Sequence, residues 1–268
     1  MKSESGADGV TNSLDNVAIV LVKPKAAGNV GSAARALKNM GLGDLRIVAP
    51  RDWDTAAARV MAVHANDVLE RARFFPTLGE ALADRTLTVG TTCRHGPYRN
   101  EIRPLREAAP ELMHAAATNR AAIVFGPEDY GLSNEEIGQC QRLITIPAAP
   151  DYPSLNLAQA VMVVAYELRL AADSTDTAAR DSQAGELASA DQVEQMFLRM
   201  AEACEAIGFV SRENAAHIML TIRAMLGRGG LRPRELDILN GLVHQIGWFA
   251  RGGREIIETK RAAGHRIR

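Results

Sequence analysis

The sequence has 268 residues, a formal net charge of −1 at pH 7 and 47% hydrophobic residues. A chain of this length can bury a full core, with room for one large domain and a smaller unit. Because acidic and basic residues nearly cancel, the overall charge does not indicate a nucleic-acid partner. Any nucleic-acid site must therefore come from local clustering of charge.

The three cysteines, Cys93, Cys140 and Cys204, are scattered and form no C-x-x-C pair. This spacing argues against a disulfide framework or a zinc cage and fits a reducing compartment. Residues 1–15 are polar, so we expect a disordered tail there rather than a signal peptide. No run approaches the roughly 18 apolar residues needed to span a bilayer. We therefore expect a cytoplasmic protein without a membrane partner.

Short apolar runs alternate with helix-like segments through the first 172 residues. The runs lie at 17–22, 45–48, 86–90, 122–125 and 143–146, and the helical stretches lie at 30–40, 56–72, 77–83, 104–117, 133–141 and 156–171. Strands that are apolar throughout and alternate with helices are typical of a parallel sheet covered on both faces. The pattern predicts an α/β domain over residues 16–172.

A second, helical unit is predicted after a linker. Residues 173–190 are small and polar, as linkers are. Helical periodicity follows at 191–207, 212–226 and 233–249. Asp191 is placed to cap the first of these helices, and Pro233 suits the first turn of the third. We expect residues 191–268 to form a small all-helical C-terminal extension.

Polar side chains cluster around the first predicted strand–helix turn. The turn carries G-x-x-G rather than G-x-G-x-x-G, so the dinucleotide-binding fingerprint fails, although Asp52 and Asp54 lie where its acidic ribose ligand would be. Asn29 and Arg35 follow the turn, with Arg35 on the helix face opposite Val30. A solvated helix face is one interpretation. A ligand site is the other, because open α/β sheets bind ligands at the carboxyl ends of their strands.

Three further loops are of the same kind. The segment 91–94 (T-T-C-R) follows the third apolar run, the segment 126–128 (G-P-E) follows the fourth, and the segment 152–156 (Y-P-S-L-N) precedes the last helix of the domain. Each alone is explained as a tight turn or a helix cap. Four such loops near strand ends favour one composite ligand site.

Metal and hydrolase chemistry are not indicated. The six histidines show no metal-ligand spacing and no H-E-x-x-H, so we expect no metal. No G-x-S-x-G elbow surrounds Ser154, which makes it a poor candidate for a nucleophile. Cys93 is interpreted as a backbone contributor to the site rather than a nucleophile.

Three motifs in these loops can be compared with known families. They are N-x-x-x-x-x-R at Asn29 and Arg35, F-G-P-E-x-x-G-L at 125–132, and I-P followed by S-L-N-L-A within 146–158. In this order they resemble the motifs of SpoU-type (TrmH-like) RNA ribose 2′-O-methyltransferases of the SPOUT superfamily. The resemblance covers nearly the whole chain except the N-terminal tail.

Two further segments resemble the TrmJ branch of this family, which methylates nucleotide 32 of the tRNA anticodon loop. They are G-T-T-C-R at 90–94 and R-P-R-E-L-D-I-L-N-G at 232–241. Thr92-Cys93 departs from the Ser-Ala common in that branch, and Pro127 departs from its Arg.

The resemblance implies a fold, a cofactor and partners. The fold is a parallel-sheet α/β domain with a C-terminal trefoil knot, which nothing in the periodicity predicts. The implied partners are tRNA and a second copy of the chain, with the active site across the homodimer interface and no DNA partner. The implied cofactor is S-adenosylmethionine, held mainly by backbone groups, and its candidate contacts are Thr91, Thr92, Cys93, Gly126, Glu128, Ile146, Pro153, Ser154 and Leu155. A ribosomal-RNA methyltransferase and a non-catalytic RNA-binding scaffold are the alternatives.

The implied reaction moves a methyl group from a sulfonium to a ribose 2′-hydroxyl. Arg35 is the family's candidate for the group that acts on the hydroxyl, but arginine titrates above about 12 and is a poor base. We favour Arg35 binding the neighbouring phosphate and aligning the hydroxyl, with deprotonation by Arg35 as the alternative. In this hypothesis Asn29, Ser154 and Asn156 hold the ribose or fix Arg35.

Basic residues are concentrated at the C-terminus. Residues 223–268 contain ten Lys or Arg against four Asp or Glu, so this segment carries +6 in a nearly neutral chain. A solvated helical face is one interpretation, and an electrostatic footprint for RNA is the other. The candidates for RNA binding are Arg35, Arg94, Arg228, Arg232 and Arg234.

Overall fold

A seven-stranded parallel sheet forms the centre of the molecule. The computed structural model describes residues 13–51, 53–94, 96, 101–175, 186–211, 213–227 and 230–253. The strands are β1 (Val17–Val22), β2 (Asp44–Val48), β3 (Arg73–Phe75), β4 (Leu87–Thr91), β5 (Ile102–Pro104), β6 (Ala121–Phe125) and β7 (Arg142–Thr145). Their order is β3-β2-β1-β6-β4-β7-β5, and each pairing is parallel. The predicted parallel α/β fold is confirmed.

Helices cover both faces of this sheet. They are α1 (Ala27–Met40), α2 (Thr55–Ala62), α3 (Asn66–Glu70), α4 (Leu78–Leu82), α5 (Leu105–Ala116), α6 (Asn134–Gly138) and α7 (Leu157–Thr175). Alternate β1 residues face opposite layers: Ile19 packs with α1, α5 and α7, and Val20 packs with α4 and α6. Every β1 side chain is buried because the sheet has a helix layer on each side.

Some element boundaries differ from those predicted. Helix α1 begins at Ala27, three residues before the apolar stripe that predicted it, so Asn29 lies in its first turn. The predicted 56–72 helix is divided by a short 3-10 turn at Val63–Ala65, where Val63 has a φ of 51°. Strands β3 and β5 were not predicted because each has only three residues, too few to show a periodicity.

The edges of the predicted tail and linker are ordered in the structure. Within the predicted tail, Ser13–Asn16 form a 3-10 turn because Leu14 is buried in the core, and residues 1–12 lie outside the described residues. Helix α7 continues three residues into the predicted 173–190 linker. The N–H of Leu187 donates to Asn119 Oδ1 (2.9 Å), and the N–H of Ala190 donates to the Arg85 carbonyl (2.6 Å). Residues 176–185 of the linker are not described.

Three further helices follow the part of the linker that contains Leu187. They are α8 (Ala190–Ala206), α9 (Ala215–Gly227) and α10 (Pro233–Trp248), with a π-helical turn at Phe249–Gly253. Met196, Phe197, Met219 and Leu236 lie in their shared core, which is separate from the two cores beside the sheet. Ser189, rather than the predicted Asp191, caps α8, since its side chain accepts a hydrogen bond from the Gln192 N–H.

The trefoil knot stays a prediction. The order of the strands places β4 between β6 and β7, and the segment 146–156 leads from β7 to α7 beside this group. None of the described helices is long and apolar enough to cross a membrane.

Candidate active site

A cavity of about 350 Å³ lies at the carboxyl ends of β4, β6 and β7. Loops after all three strands contribute to its wall. All nine predicted cofactor residues line it: Thr91, Thr92, Cys93, Gly126, Glu128, Ile146, Pro153, Ser154 and Leu155. Strands β2 and β3 lie on one side of β1, and the later strands lie on its other side, beginning with β6. Open α/β sheets bind ligands at the carboxyl ends of the strands where the strand order reverses in this way.

Gly126 allows the backbone at 131–132 to pack directly against the end of β6. A Cβ atom built on Gly126 would lie 2.2 Å from Gly131 C and 2.2 Å from Leu132 N, so no other residue fits without moving the backbone. Gly131 has a φ of 61°, a left-handed conformation that favours glycine. The two glycines therefore hold the segment 126–132 as a tight loop directly after β6. A capping box formed by Ser133 and Glu136 opens α6 after this loop.

A directional chain of hydrogen bonds joins three of the predicted site residues beside the cavity. Asn29 Nδ2 donates to Glu128 Oε1 (2.8 Å), and Asn156 Nδ2 donates to Asn29 Oδ1 (3.2 Å). Asn156 Oδ1 accepts from the Ala158 N–H (2.9 Å) at the start of α7. Because a carboxylate only accepts, Glu128 sets the orientation of both amides. The chain ties the loop after β6 to α1 and α7.

The Glu128 carboxylate is ionised in this arrangement. Partial burial raises its pKa, but hydrogen bonds from Asn29 Nδ2 and from the N–H groups of Lys25 and Ala26 together outweigh that effect, and the pKa lies below its ordinary value. Its negative charge is thus compensated locally rather than directed into the cavity.

Asn156 and Ser154 have different surroundings. Asn156 caps helix α7, as one interpretation of its loop predicted, and it also donates a hydrogen bond to Asn29. Ser154 lies exposed in the wall of the cavity.

Arg35 is not among the residues that line the cavity. It lies on α1 six residues after Asn29, which places it about 9 Å further along the helix axis and about 120° around it. Its side chain is exposed, and among the described residues it has no hydrogen-bond or ion-pair partner. The structure therefore separates Arg35 from the predicted site residues of its own chain.

Three cations that the sequence analysis did not connect surround the loop after β6. Lys25 forms an ion pair with Asp129, Arg51 Nη2 donates to the Tyr130 hydroxyl (3.3 Å), and Arg94 Nη2 donates to the Tyr130 and Leu132 carbonyls. Each cation follows a different strand, β1, β2 or β4. The K-P-K sequence at 23–25 was visible, but its partner depends on the order of the strands, which the sequence does not specify.

The remaining RNA-binding candidates lie far along the chain from these loops. Arg232 and Arg234 are exposed at the start of α10, and Arg228 lies outside the described residues. Arg223, counted in the basic segment, bonds Glu194 through both terminal nitrogens and stacks on the Phe197 ring at 4.6 Å. Its guanidinium is therefore neutralised by Glu194 within the helical unit and is not free to bind RNA.

A larger cavity of about 470 Å³ lies between α9 and the sheet edge formed by β5 and β7. No predicted site residue lines it. Two of its arginines, Arg103 and Arg142, are paired with Glu111. Its volume alone gives no reason to place the chemistry there, so the smaller cavity is the candidate active site. Within the described residues, no group of three or more His, Cys, Asp or Glu side chains is arranged to hold a metal ion.

Comparisons with known proteins bear on both parts of the chain. Residues 16–166 match the SpoU rRNA methylase family, and residues 191–256 match the C-terminal domain of the tRNA methyltransferase TrmJ. The chain is 37% identical over 248 residues to the tRNA (cytidine/uridine/adenosine-2′-O-)-methyltransferase TrmJ of Pseudomonas aeruginosa, a match covering 89% of this chain and 96% of that protein.

Two further relatives are similar over most of their length. The tRNA (cytidine/uridine-2′-O-)-methyltransferase TrmJ of Salmonella typhimurium is 36% identical over 235 residues, which cover 87% of this chain and 97% of that protein. The crystal structure of TrmJ from Z. mobilis ZM4 superposes with a TM-score of 0.75 at 33% identity, covering 85% of this chain and 98% of that one.

Proposed function

This chain belongs to the SpoU methylase family of RNA methyltransferases, and we propose that it methylates the ribose 2′-hydroxyl of nucleotide 32 in the tRNA anticodon loop with S-adenosylmethionine as the methyl donor. The observation that carries the proposal is the joining of Glu128, Asn29 and Asn156 by hydrogen bonds beside a cavity lined by every predicted cofactor residue. The tRNA substrate follows from the names of relatives that match both parts of the chain.

The cavity fits S-adenosylmethionine in its chemistry. The glycine-tightened loop at 126–132 brings backbone groups close to any ligand, which suits a cofactor recognised mainly through the main chain. The Glu128 carboxylate in the wall is compensated by three hydrogen-bond donors. A sulfonium loses its charge as the methyl group leaves, so an uncompensated anion would stabilise the ground state and slow the reaction. When bound, the cofactor would supply the electrophilic methyl group.

The side chains of this protein position the acceptor. A guanidinium keeps its proton in proteins, so Arg35 acts as a cation that binds the phosphate next to the target ribose and aligns the 2′-hydroxyl. The proton of the hydroxyl passes to solvent water as its oxygen is methylated. The Glu128–Asn29–Asn156 chain leaves each amide one N–H for the ribose oxygens, and Ser154 adds a hydroxyl at the cavity wall. Orientation of this kind lowers a barrier by up to roughly 7–11 kcal/mol in favourable cases.

The active form in this proposal is a homodimer in which Arg35 completes the partner's site. The support is the position of Arg35, rotated away from its own cavity and without a partner among the described residues. Mixing Arg35→Ala protomers with Asn156→Ala protomers should then restore activity at one of the two sites. A fully active monomer in light scattering would remove the partner from the mechanism.

The helical extension in this proposal binds the tRNA body outside the methylated loop. Exposed Arg232 and Arg234 support this role, whereas Arg223 does not contribute, because it is paired with Glu194. Deleting residues 173–268 should weaken tRNA binding and flatten its salt dependence, since fewer counterions are released on binding. An unchanged affinity and salt slope in a folded, dimeric truncation would assign the extension a structural role.

The direct test is transfer of labelled methyl groups from S-adenosylmethionine to purified tRNA, with mapping of ribose methylation in total RNA from cells lacking the protein. We expect a 2′-O-methyl group at tRNA nucleotide 32 that depends on the protein. Protein-dependent methylation confined to ribosomal RNA would reassign the substrate. RNA binding with no methyl transfer to any RNA would identify a non-catalytic scaffold, and binding of NADH without binding of S-adenosylmethionine would overturn the cofactor assignment.

A further inference from the structure

Three exposed cations stand around the mouth of the candidate site, and we call them the rim: Lys25, Arg51 and Arg94. They come from the loops after β1, β2 and β4, and all three reach the loop after β6. Lys25 pairs with the Asp129 carboxylate, while Arg51 and Arg94 bond the hydroxyl and the carbonyl of Tyr130. Arg94, Asp129 and Tyr130 also line the cavity, so the rim and the site are continuous.

The pairs within the rim are poorly suited to a structural role. The side chains of Lys25 and Asp129 are 42% and 39% exposed, and exposed ion pairs contribute only about 0–1 kcal/mol. The partners of Arg51 and Arg94 are neutral oxygens, so these two guanidinium charges have no counter-ion in the contacts described. The loop after β6 does not need the charges either, because Gly126 and Gly131 already fix its shape.

Asp129 is the one negative group in this cluster that an RNA phosphate could replace. The hydrogen bond from Lys25, together with the charges of Lys25 and Arg51, lowers the pKa of Asp129, so the carboxylate is ionised at neutral pH. The other nearby carboxylate, Glu128, is held by Asn29 and two backbone N–H groups and is not paired with a rim cation.

We propose that the rim is the surface that binds the phosphates of the RNA strand entering the site, and that Asp129 occupies a phosphate position while no RNA is bound. The inference rests on the proposed function, because it concerns the RNA of the same reaction. RNA must displace the Asp129 carboxylate from Lys25, a step that costs little because the pair is exposed. Asp129 therefore lowers the RNA affinity of the protein.

The test is the RNA affinity of Asp129→Asn as a function of salt concentration. Freeing Lys25 should raise tRNA affinity by up to about fivefold, the equivalent of an exposed ion pair. The plot of log affinity against log salt should keep its slope, because Lys25 contacts a phosphate in both proteins and the number of phosphate contacts is unchanged. In a Lys25→Gln background, Asp129→Asn should lose most of this effect, because the cation that it frees is gone.

The matched control is Asp173→Asn, which removes the same charge from the exposed pair with Arg169 at the far end of α7. It should leave affinity and slope at wild-type values. A tRNA affinity of Asp129→Asn equal to wild type, or an equal rise in affinity in both variants, would overturn the inference, while methylation by wild-type protein leaves the proposed function standing. Wild-type protein that neither binds nor methylates tRNA would overturn both.

Discussion

The two ends of the sheet use charged residues in opposite ways. At the amino end, Arg46 and Arg85 are almost fully buried and share the carboxylates of Asp44 and Asp84. At the carboxyl end, Lys25, Arg51 and Arg94 are exposed, and two of these three have no ionised partner among the contacts described.

The difference separates charges that hold the fold from charges that are available to a ligand. Arg46 donates to Asp84 at 2.5 and 2.9 Å and to the Ala81 carbonyl at 2.6 Å, which ties β2 to α4. A buried charge must be paired in this way because desolvation is costly. Exposed cations avoid this desolvation cost and keep N–H groups free to bind a ligand. The carboxyl end of the sheet is therefore the end suited to bind the phosphates of an RNA strand.

The largest expected effect is on stability and belongs to the amino end. Arg46→Met should lower the free energy of unfolding by about 2–4 kcal/mol, because the Ala81 carbonyl loses its donor and Asp44 and Asp84 keep only Arg85 as a buried partner. Cofactor affinity of the remaining folded protein should not change. Denaturant titration measures the loss, with Arg73→Met as the control, since Arg73 also pairs with Asp44 but is half exposed. Equal losses of unfolding free energy in Arg46→Met and Arg73→Met would contradict the claim that the buried arginines, rather than the exposed ones, hold the fold.

Gly126→Ala should damage the carboxyl end through backbone geometry rather than charge. The new methyl group would lie 2.2 Å from two backbone atoms, so the 126–132 loop must move. We expect a stability cost of about 1–3 kcal/mol and at least about a tenfold loss of cofactor affinity. The control is Gly43→Ala, where a Cβ meets no atom within 4 Å. Calorimetry that finds wild-type affinity in Gly126→Ala would remove this loop from the cofactor site.

The hydrogen-bond chain predicts that its members act together. Asn29→Ala and Asn156→Ala should each lower kcat/KM by about ten- to a hundredfold, since each breaks a bond in a chain that ends on a carboxylate. The double variant should be little worse than either single variant, because the first substitution already disconnects Glu128 from α7. Kinetics of the four proteins measure this, and additive losses would show that the two amides act independently.

The smallest expected effect is on the pH dependence of stability. The folded-state pKa of Glu128 lies below its ordinary value of 4.5, so its contribution is present above that pH and is lost as the pH falls through the folded-state value. Glu128→Gln should therefore show a shallower loss of unfolding free energy between about pH 5 and 3 than wild type. Exposed Glu107 on α5 provides the control as Glu107→Gln. Parallel curves for wild type and Glu128→Gln would contradict the assigned hydrogen bonds.

The sequence predicted those features that depend on residues close together in the chain, namely strand boundaries and short motifs. The apolar runs of β1 and β6 have boundaries within one residue of those predicted, because both strands are buried on both faces. Asn29 and Asn156 could be selected from motifs, although they lie 127 positions apart. Their contact itself depends on which strands are neighbours, and periodicity does not encode that order. The pairing of Lys25 with Asp129 was missed for the same reason.

The central claim is that an exposed cation without a structural partner, Arg35, serves catalysis. It is tested by measuring methyl transfer to tRNA, S-adenosylmethionine affinity and thermal stability for wild type, Arg35→Ala and Arg35→Lys. We expect Arg35→Ala to lose nearly all transfer, with cofactor affinity within a few-fold of wild type and unchanged stability. Arg35→Lys should also transfer poorly, because lysine lacks the planar fork that binds phosphate. Near-normal transfer by Arg35→Ala would contradict the account.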